Sequence, residues 1–246
     1  MRATQGVGIA RHLSLLPLAV ALPVVIWLFR EPEAKDAHEL IAPPSRVGVT
    51  VGQALRDYRF WVIAVSILFV AIGVGGSITN FQPLLMDRGF QPQEAAKIAG
   101  VIGVSVIVGR LLAGFLIDRF WAPLVTLPML ALPALACFLL AQPEVPAFAA
   151  ILSAMLIGLA AGAETDLVAY LTARYFGLAN YGRLYGLQYS VFGFASGISP
   201  FLFGKVFDVT GSYQPILYVA AVLFVLGAVA LLTLGRYPKF EEAAAA

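Results

Sequence analysis

Arg110 is the residue in this 246-residue chain whose position most invites chemistry. It stands inside an apolar run, Ile98 to Ile117, where a guanidinium is costly to keep and needs a partner. Such a group grips a carboxylate or phosphate through two parallel hydrogen bonds, which is what an organic-anion site requires. The residues sharing its helical face, Gly103, Val106, Ile107, Gly114 and Ile117, include no acid, so its counter-charge comes from another helix or from a bound anion. Glu164 and Asp166 lie in a second apolar run. Two residues apart on a helix they point about 200° away from each other and do not share one cavity. Either can carry a proton if burial favours the neutral form, the alternative being a salt bridge with Arg119, Arg174 or Arg183. Asp166, Tyr170 and Arg174 recur every fourth residue as a polar stripe. Asn80 and Gln82, beside Pro83 and the Gly73, Gly75, Gly76 cluster, mark a loosened helix end where amides either meet a solute or cap an interface.

Other chemistries find no constellation. There is no HExxH or GxSxG motif and no phosphate-binding glycine loop, and His12 and His38 lie outside the apolar runs. Cys137 is the one cysteine, which leaves neither a disulfide framework nor a CxxC motif. We therefore expect no enzyme, no metal and no cofactor, and expect any solute movement to be driven by a gradient. A net charge of +2 argues against a nucleic-acid partner.

The elements that must position these residues are membrane helices. Sixty per cent of the chain is hydrophobic and 12% is charged, about half the charge that coats a water-facing surface, and the mean hydropathy is +0.87. The surplus apolar surface faces a lipid bilayer. Cutting at charges and turn signals leaves seven runs near the length of a span: Leu13 to Phe29, Phe60 to Met86, Ile98 to Ile117, Phe120 to Gln142, Val145 to about Tyr170, Leu184 to Gly204 and Gln214 to Leu234. The fold class expected is thus an all-α, multi-pass membrane protein. The first run is long for a signal peptide, and no small-x-small cleavage site follows it. The long connector, Glu31 to Arg59, carries Pro32, Pro43 and Pro44 among many charges and reads as a solvated linker with a short surface helix near its end. Gly158-x3-Gly162 and Gly193-x3-Gly197 are expected to be close-packing surfaces.

Orientation follows from the basic residues. Arg30, Lys35, Arg46, Arg56, Arg59, Arg119, Arg174, Arg183, Arg236 and Lys239 fall on one set of alternate loops, against Arg88, Lys97 and Lys205 on the other. The first set, with the C-terminus, is placed in the cytoplasm. That puts the N-terminus outside with no targeting segment before it, and leads us to expect further chain upstream.

Several motifs then carry a resemblance. Gly114-Phe115-Leu116-Ile117-Asp118-Arg119 matches the GxLaDR signature of the major facilitator superfamily, although Trp121, Ala122 and Pro123 replace the rest of it. Gly197-Ile198-Ser199-Pro200, Gly204, Asp208 and Gly211-Ser212-Tyr213 resemble the penultimate helix and its exit loop. Arg174-Tyr175-Phe176-Gly177 and Tyr181-Gly182-Arg183-Leu184-Tyr185-Gly186 resemble the loop before it. The chain is similar to the C-terminal half of such a transporter. Arg110, four residues before Gly114, looks like the substrate-carboxylate arginine of the monocarboxylate-transporter-like or oxalate/formate-type members. The aspartate that precedes that arginine by four residues in monocarboxylate carriers is replaced here by Val106, so the family's proton-coupling acid is not carried over.

The resemblance implies that residues 1–30 match the sixth helix, 31–58 the central cytoplasmic linker, 59–238 a six-helix half built of two three-helix inverted repeats, and 239–246 a tail. It implies gradient-driven transport, symport or antiport, of a small organic anion, such as a monocarboxylate, in a plasma or inner membrane. Arg110, Asn80 and Gln82 would bind the solute, and Asp118, Arg119, Glu164, Asp166 and Arg174 would gate or couple. One half cannot enclose a solute, so the missing N-terminal half or a second copy of the chain is an implied partner. The alternative is a non-transporting subunit or remnant that only packs against partner helices.

Overall fold

The computed structural model describes residues 47–238 and 240. The expected first span, Leu13 to Phe29, with His12, His38, the linker before Val47 and most of the tail, lies outside the described residues. A six-residue helix, α1 (Val51–Arg56), opens the described chain. Thr50 and Gln53 close a capping box at its start, each side chain bonding the other's backbone N–H. The surface helix expected near the end of the linker is this one.

Six helices long and apolar enough to cross a bilayer follow. They are α2 (Tyr58–Asp87), α3 (Pro92–Ile117), α4 (Ala122–Leu140), α5 (Ala147–Phe176), α6 (Tyr181–Thr210) and α7 (Gln214–Ala230), the last running into a 3-10 turn at Leu231–Leu234. Lipid offers no hydrogen bonds, so each apolar run must satisfy its backbone internally, and a helix does so within one segment. At about 1.5 Å per residue the 30-residue α2, α5 and α6 exceed a hydrocarbon core of about 30 Å, so their ends project from it. Gly211, left-handed at φ +70°, closes α6 where a side chain would be strained.

The packing has an internal two-fold. With α2 to α4 as one repeat and α5 to α7 as the other, α3 packs on α5 as α6 packs on α2, and α4 packs on α5 as α7 packs on α2. The third helices, α4 and α7, pack on each other. The first helix of each repeat is thereby central, and α2 and α5 carry the most buried apolar windows. The second helices, α3 and α6, lie at the edges and are the least covered.

Small residues set the close approaches. A Cβ on Gly158 would meet the carbonyl oxygen of Ile102 at 2.6 Å, and one on Gly162 would collide with that of Val106 on α3. This stripe packs as expected. The other expected stripe does not: nothing lies within 4 Å of a Cβ at Gly193 or Gly197, both on the uncovered face of α6. The region from Thr79 to Pro83 differs too. It forms unbroken helix within α2, with Pro83 inside it, and Asn80 Nδ2 donates back to the Gly76 carbonyl at 2.9 Å. The glycines before it are seats for rings: a Cβ on Gly73 would fall 2.6 Å from the Phe224 ring of α7, and one on Gly76 would overlap Phe203 of α6.

A cluster of polar contacts ties one end of the bundle together. Tyr58 Oη donates to the Thr233 carbonyl at 3.2 Å, Arg59 Nε to that of Leu234 at 3.1 Å, and Tyr175 Oη to that of Gly235 at 2.6 Å. The Ala122 N–H, at the start of α4, donates to Tyr237 Oη at 2.9 Å. Beside them the chain before α1 is pinned to the α5–α6 turn: Val49 N–H donates to the Phe176 carbonyl at 3.0 Å, and Leu178 N–H to that of Val47 at 2.9 Å. Gly177 turns there at φ +75°, with a Cβ excluded by the facing backbone of Val47 and Gly48.

The contrast between the two glycine stripes is testable. Gly162→Val should destabilise the purified protein by about 1–3 kcal/mol, read as a lower midpoint of thermal unfolding in detergent, because α3 and α5 are forced apart. Gly197→Val should stay within about 0.5 kcal/mol of the parent.

Candidate functional site

The α3–α5 contact decides where Arg110 can reach. The Cβ that Gly162 lacks would stand 2.9 Å from the backbone nitrogen of Arg110. Asp166 is one turn further along the same stripe of α5. Arg110 Nε meets Asp166 Oδ2 at 3.0 Å, and the two side chains remain 59% and 40% exposed. The counter-charge expected from another helix is therefore Asp166. The contact engages Nε, while the two Nη groups at the end of the guanidinium carry four further N–H donors. With Nε engaged, those donors can pair with a carboxylate or phosphate.

Two tyrosines to which sequence reasoning assigned no role pack near Thr165, the residue before Asp166. They are Tyr185 and Tyr189 of α6. Tyr185 and Tyr189 also line a crevice with Thr165, the neighbour of Asp166, and with Gln188, whose Nε2 donates to the Phe60 carbonyl at 3.0 Å. The signal available in the sequence was the four-residue spacing of Tyr181, Tyr185 and Tyr189, which puts all three on one helical face.

The other expected site residues distribute differently. Asn80 stands near the far end of α2, about seven residues before Asp87, whereas Arg110 is about 18 residues beyond Pro92 on the antiparallel α3. At ~1.5 Å per residue the two are separated by about 17 Å along the helix axes, and Gln82 by more, so one small solute does not touch both. Glu164 points away from the pair, as the 200° offset requires. It is buried at 3% exposure, and its Oε2 has no hydrogen-bond partner among the described residues. The expected gate network of Asp118, Arg119 and Arg174 is not joined by ion pairs among the described residues. Arg119 instead lies over the Phe115 ring, 3.8 Å from its centroid, and Arg174 over Tyr237 at 4.8 Å and Tyr170 at 5.6 Å. The reason is local: Phe115 is one turn before Arg119, Tyr170 one turn before Arg174, and aromatic faces hold cations without desolvating a carboxylate. Asp166 accordingly pairs with Arg110 and with none of Arg119, Arg174 and Arg183. The stripe from Asp166 through Tyr170 to Arg174 persists through the ring contact. Among the described residues no group of three or more His, Cys, Asp or Glu could hold a metal ion.

Because both partners are more than a third exposed, the Arg110–Asp166 pair should add little to stability. A double-mutant cycle with Arg110→Ala and Asp166→Ala, read by thermal unfolding, should give a coupling of about 0.2–1 kcal/mol. A coupling of about 3 kcal/mol would instead mean a pair sealed from water.

Comparison with known proteins bears on this arrangement. A family model described as Major Facilitator Superfamily matches residues 11–162. Monocarboxylate transporter 12 of Rattus norvegicus is 30% identical over 166 residues, covering 63% of this chain and 32% of that protein. Monocarboxylate transporter 13 of Bos taurus is 26% identical over 198 residues, covering 79% of this chain and 46% of that protein. The chain thus spans between about a third and a half of the length of these relatives. Among solved structures, a bacterial homologue of the human lysosomal transporter Spinster, inward-facing and unoccupied, matches 88% of this chain and 58% of its own. Its TM-score is 0.50 at 17% identity, a likeness of fold.

Proposed function

This chain belongs to the major facilitator superfamily, and from that premise we propose that it forms the C-terminal part of a gradient-driven transporter for a small organic anion, with a monocarboxylate as the solute class. Arg110 carries the reading. It is a guanidinium inside a membrane-spanning helix, oriented through Nε by Asp166 and open at its other end. A solute carboxylate engages the Nη donors and shares the arginine with Asp166. When the solute leaves, Asp166 keeps the charge from standing alone in the membrane. Asn80 and Gln82 have no part in this contact and are proposed to line the path toward the other face. The neighbours named monocarboxylate transporters support the solute class.

The same reading assigns the segments. Residues 1–30 are proposed as the sixth-helix equivalent, 31–58 as the linker, 59–238 as the six-helix half and 239–246 as the tail, with the C-terminus cytoplasmic. Alternating access needs a second wall, which the missing N-terminal half or a second copy would supply. The edge helices α3 and α6 support this, because each presents an uncovered apolar face, with Leu111 of α3 and Phe194 of α6 among its exposed side chains. Asp118, Arg119 and Arg174 are proposed to act at the inner mouth once that second wall is in place.

Uptake of radiolabelled small carboxylates into proteoliposomes, with and without an imposed pH gradient, tests the reading. The chain should transport when co-reconstituted with an upstream helical half, and Arg110→Ala should lower uptake at least about tenfold, the loss of one charge-assisted pair. Uptake that survives Arg110→Ala would overturn the role of the arginine. No uptake from either preparation would favour a subunit that only packs against partners.

A further inference from the structure

We propose that the groove beside Trp121 and Arg236, where α4 begins and α7 ends, seats the headgroup of an anionic phospholipid from the leaflet at that end of the bundle. The inference goes beyond the solute reading and does not depend on Arg110. The groove measures about 560 Å³ and is lined by Trp121, Gly235, Arg236 and Tyr237. Sites for small molecules are built at about 300–1,000 Å³, so a headgroup fits. Its depth follows from the length of α4. At about 1.5 Å per residue the 19 residues of that helix span about 28 Å, close to a hydrocarbon core of about 30 Å, so its start stands at headgroup level. The Ala122 N–H, donating to Tyr237 Oη at 2.9 Å, holds the segment after α7 against that start. Trp and Tyr, which line the groove together, are the residue types that settle at a membrane interface.

The charges set the sign of the occupant. Arg236 is exposed and meets no carboxylate among the described residues. Arg174, 4.8 Å over the Tyr237 ring, is a second cation without an ion pair among them. Asp118, three residues before Trp121, does not line the groove. A guanidinium at the lipid–water boundary takes a phosphate through two charge-assisted hydrogen bonds, and basic pockets at helix ends attract anionic headgroups. A choline headgroup brings its own cation, which the two arginines repel. Leu124, on the same face of α4 one turn inward from Trp121, is 53% exposed and continues the groove's rim as apolar surface for an acyl chain.

Trp121 itself reports occupancy, because Trp27→Phe and Trp61→Phe in the full chain leave it the one tryptophan. This parent is placed in nanodiscs of phosphatidylcholine with a minor fraction of phosphatidylglycerol. Quenching of Trp121 is compared with brominated chains on the phosphatidylglycerol or on an equal fraction of the phosphatidylcholine. Phosphatidylglycerol should be enriched about fivefold at Trp121, the attraction of one arginine near the membrane surface. Arg236→Ala should bring the enrichment to about one, and Arg236→Lys should keep most of it. Quenching by brominated phosphatidylcholine should match the parent in both, which shows Trp121 still seated at the interface of a folded protein. Arg56→Ala, which removes an exposed arginine outside the groove, should leave the enrichment unchanged. Equal quenching by the two lipids in the parent, the result if the acidic Glu241 and Glu242 of the tail fill the groove, would overturn the proposal. So would an enrichment that falls as far with Arg56→Ala as with Arg236→Ala, which means diffuse surface charge. An enrichment abolished by inorganic phosphate at constant ionic strength would overturn it too, in favour of a free-anion site.

Discussion

The approach of α5 to α3 at Gly158 and Gly162 is the contact on which the site depends. Helices in lipid gain little from hiding apolar side chains, because the solvent is equally apolar, so they associate through close packing. Removing the Cβ at Gly162 lets its backbone come against that of Val106 and Arg110. Once that register is fixed, the next turn of α5 delivers Asp166 to Arg110 with no freedom left to choose another acid. Gly109 extends the same seam from the other side, seated against the backbone of Leu159. An ion pair that contributes little itself is held in place by three residues with no functional group at all.

This explains what could be read from the sequence and what could not. The spans were legible because lipid imposes one demand on every residue of a run, and the bounds of α2 to α7 follow the charges and turn residues that interrupt it. Arg110 was legible because a charge in such a run has no ordinary use. The GxLaDR residues placed the turn between α3 and α4. The identity of the partner was not legible. Whether Arg110 meets Asp166, or Asp166 meets Arg174, depends on how two helices are rotated about their axes and slid along each other, and periodicity within one helix carries no information on either.

The same limit accounts for the residues grouped too loosely. Asn80 and Gln82 share composition with a polar site, yet the depth of each residue within its span separates them from Arg110. Gly193 and Gly197 have the spacing of a packing stripe, but spacing cannot say whether a neighbour is present, and on the edge helix α6 none is among the described residues. Arg119 and Arg174 look like gate cations in sequence. An aromatic one turn away satisfies each of them, and that competition becomes visible only when rings have positions.

The strand-like clip between Val47–Val49 and Phe176–Leu178 has a consequence for how the chain enters α2. The chain is held first at the α5–α6 turn rather than at the first residue of α2. About eleven residues, Val47 to Asp57, are thereby held against the bundle. As a flexible coil they would have added an r.m.s. reach of about 18 Å. A shorter leash delivers any pull on the preceding residues to the Phe176 end of α5, the helix that bears Asp166.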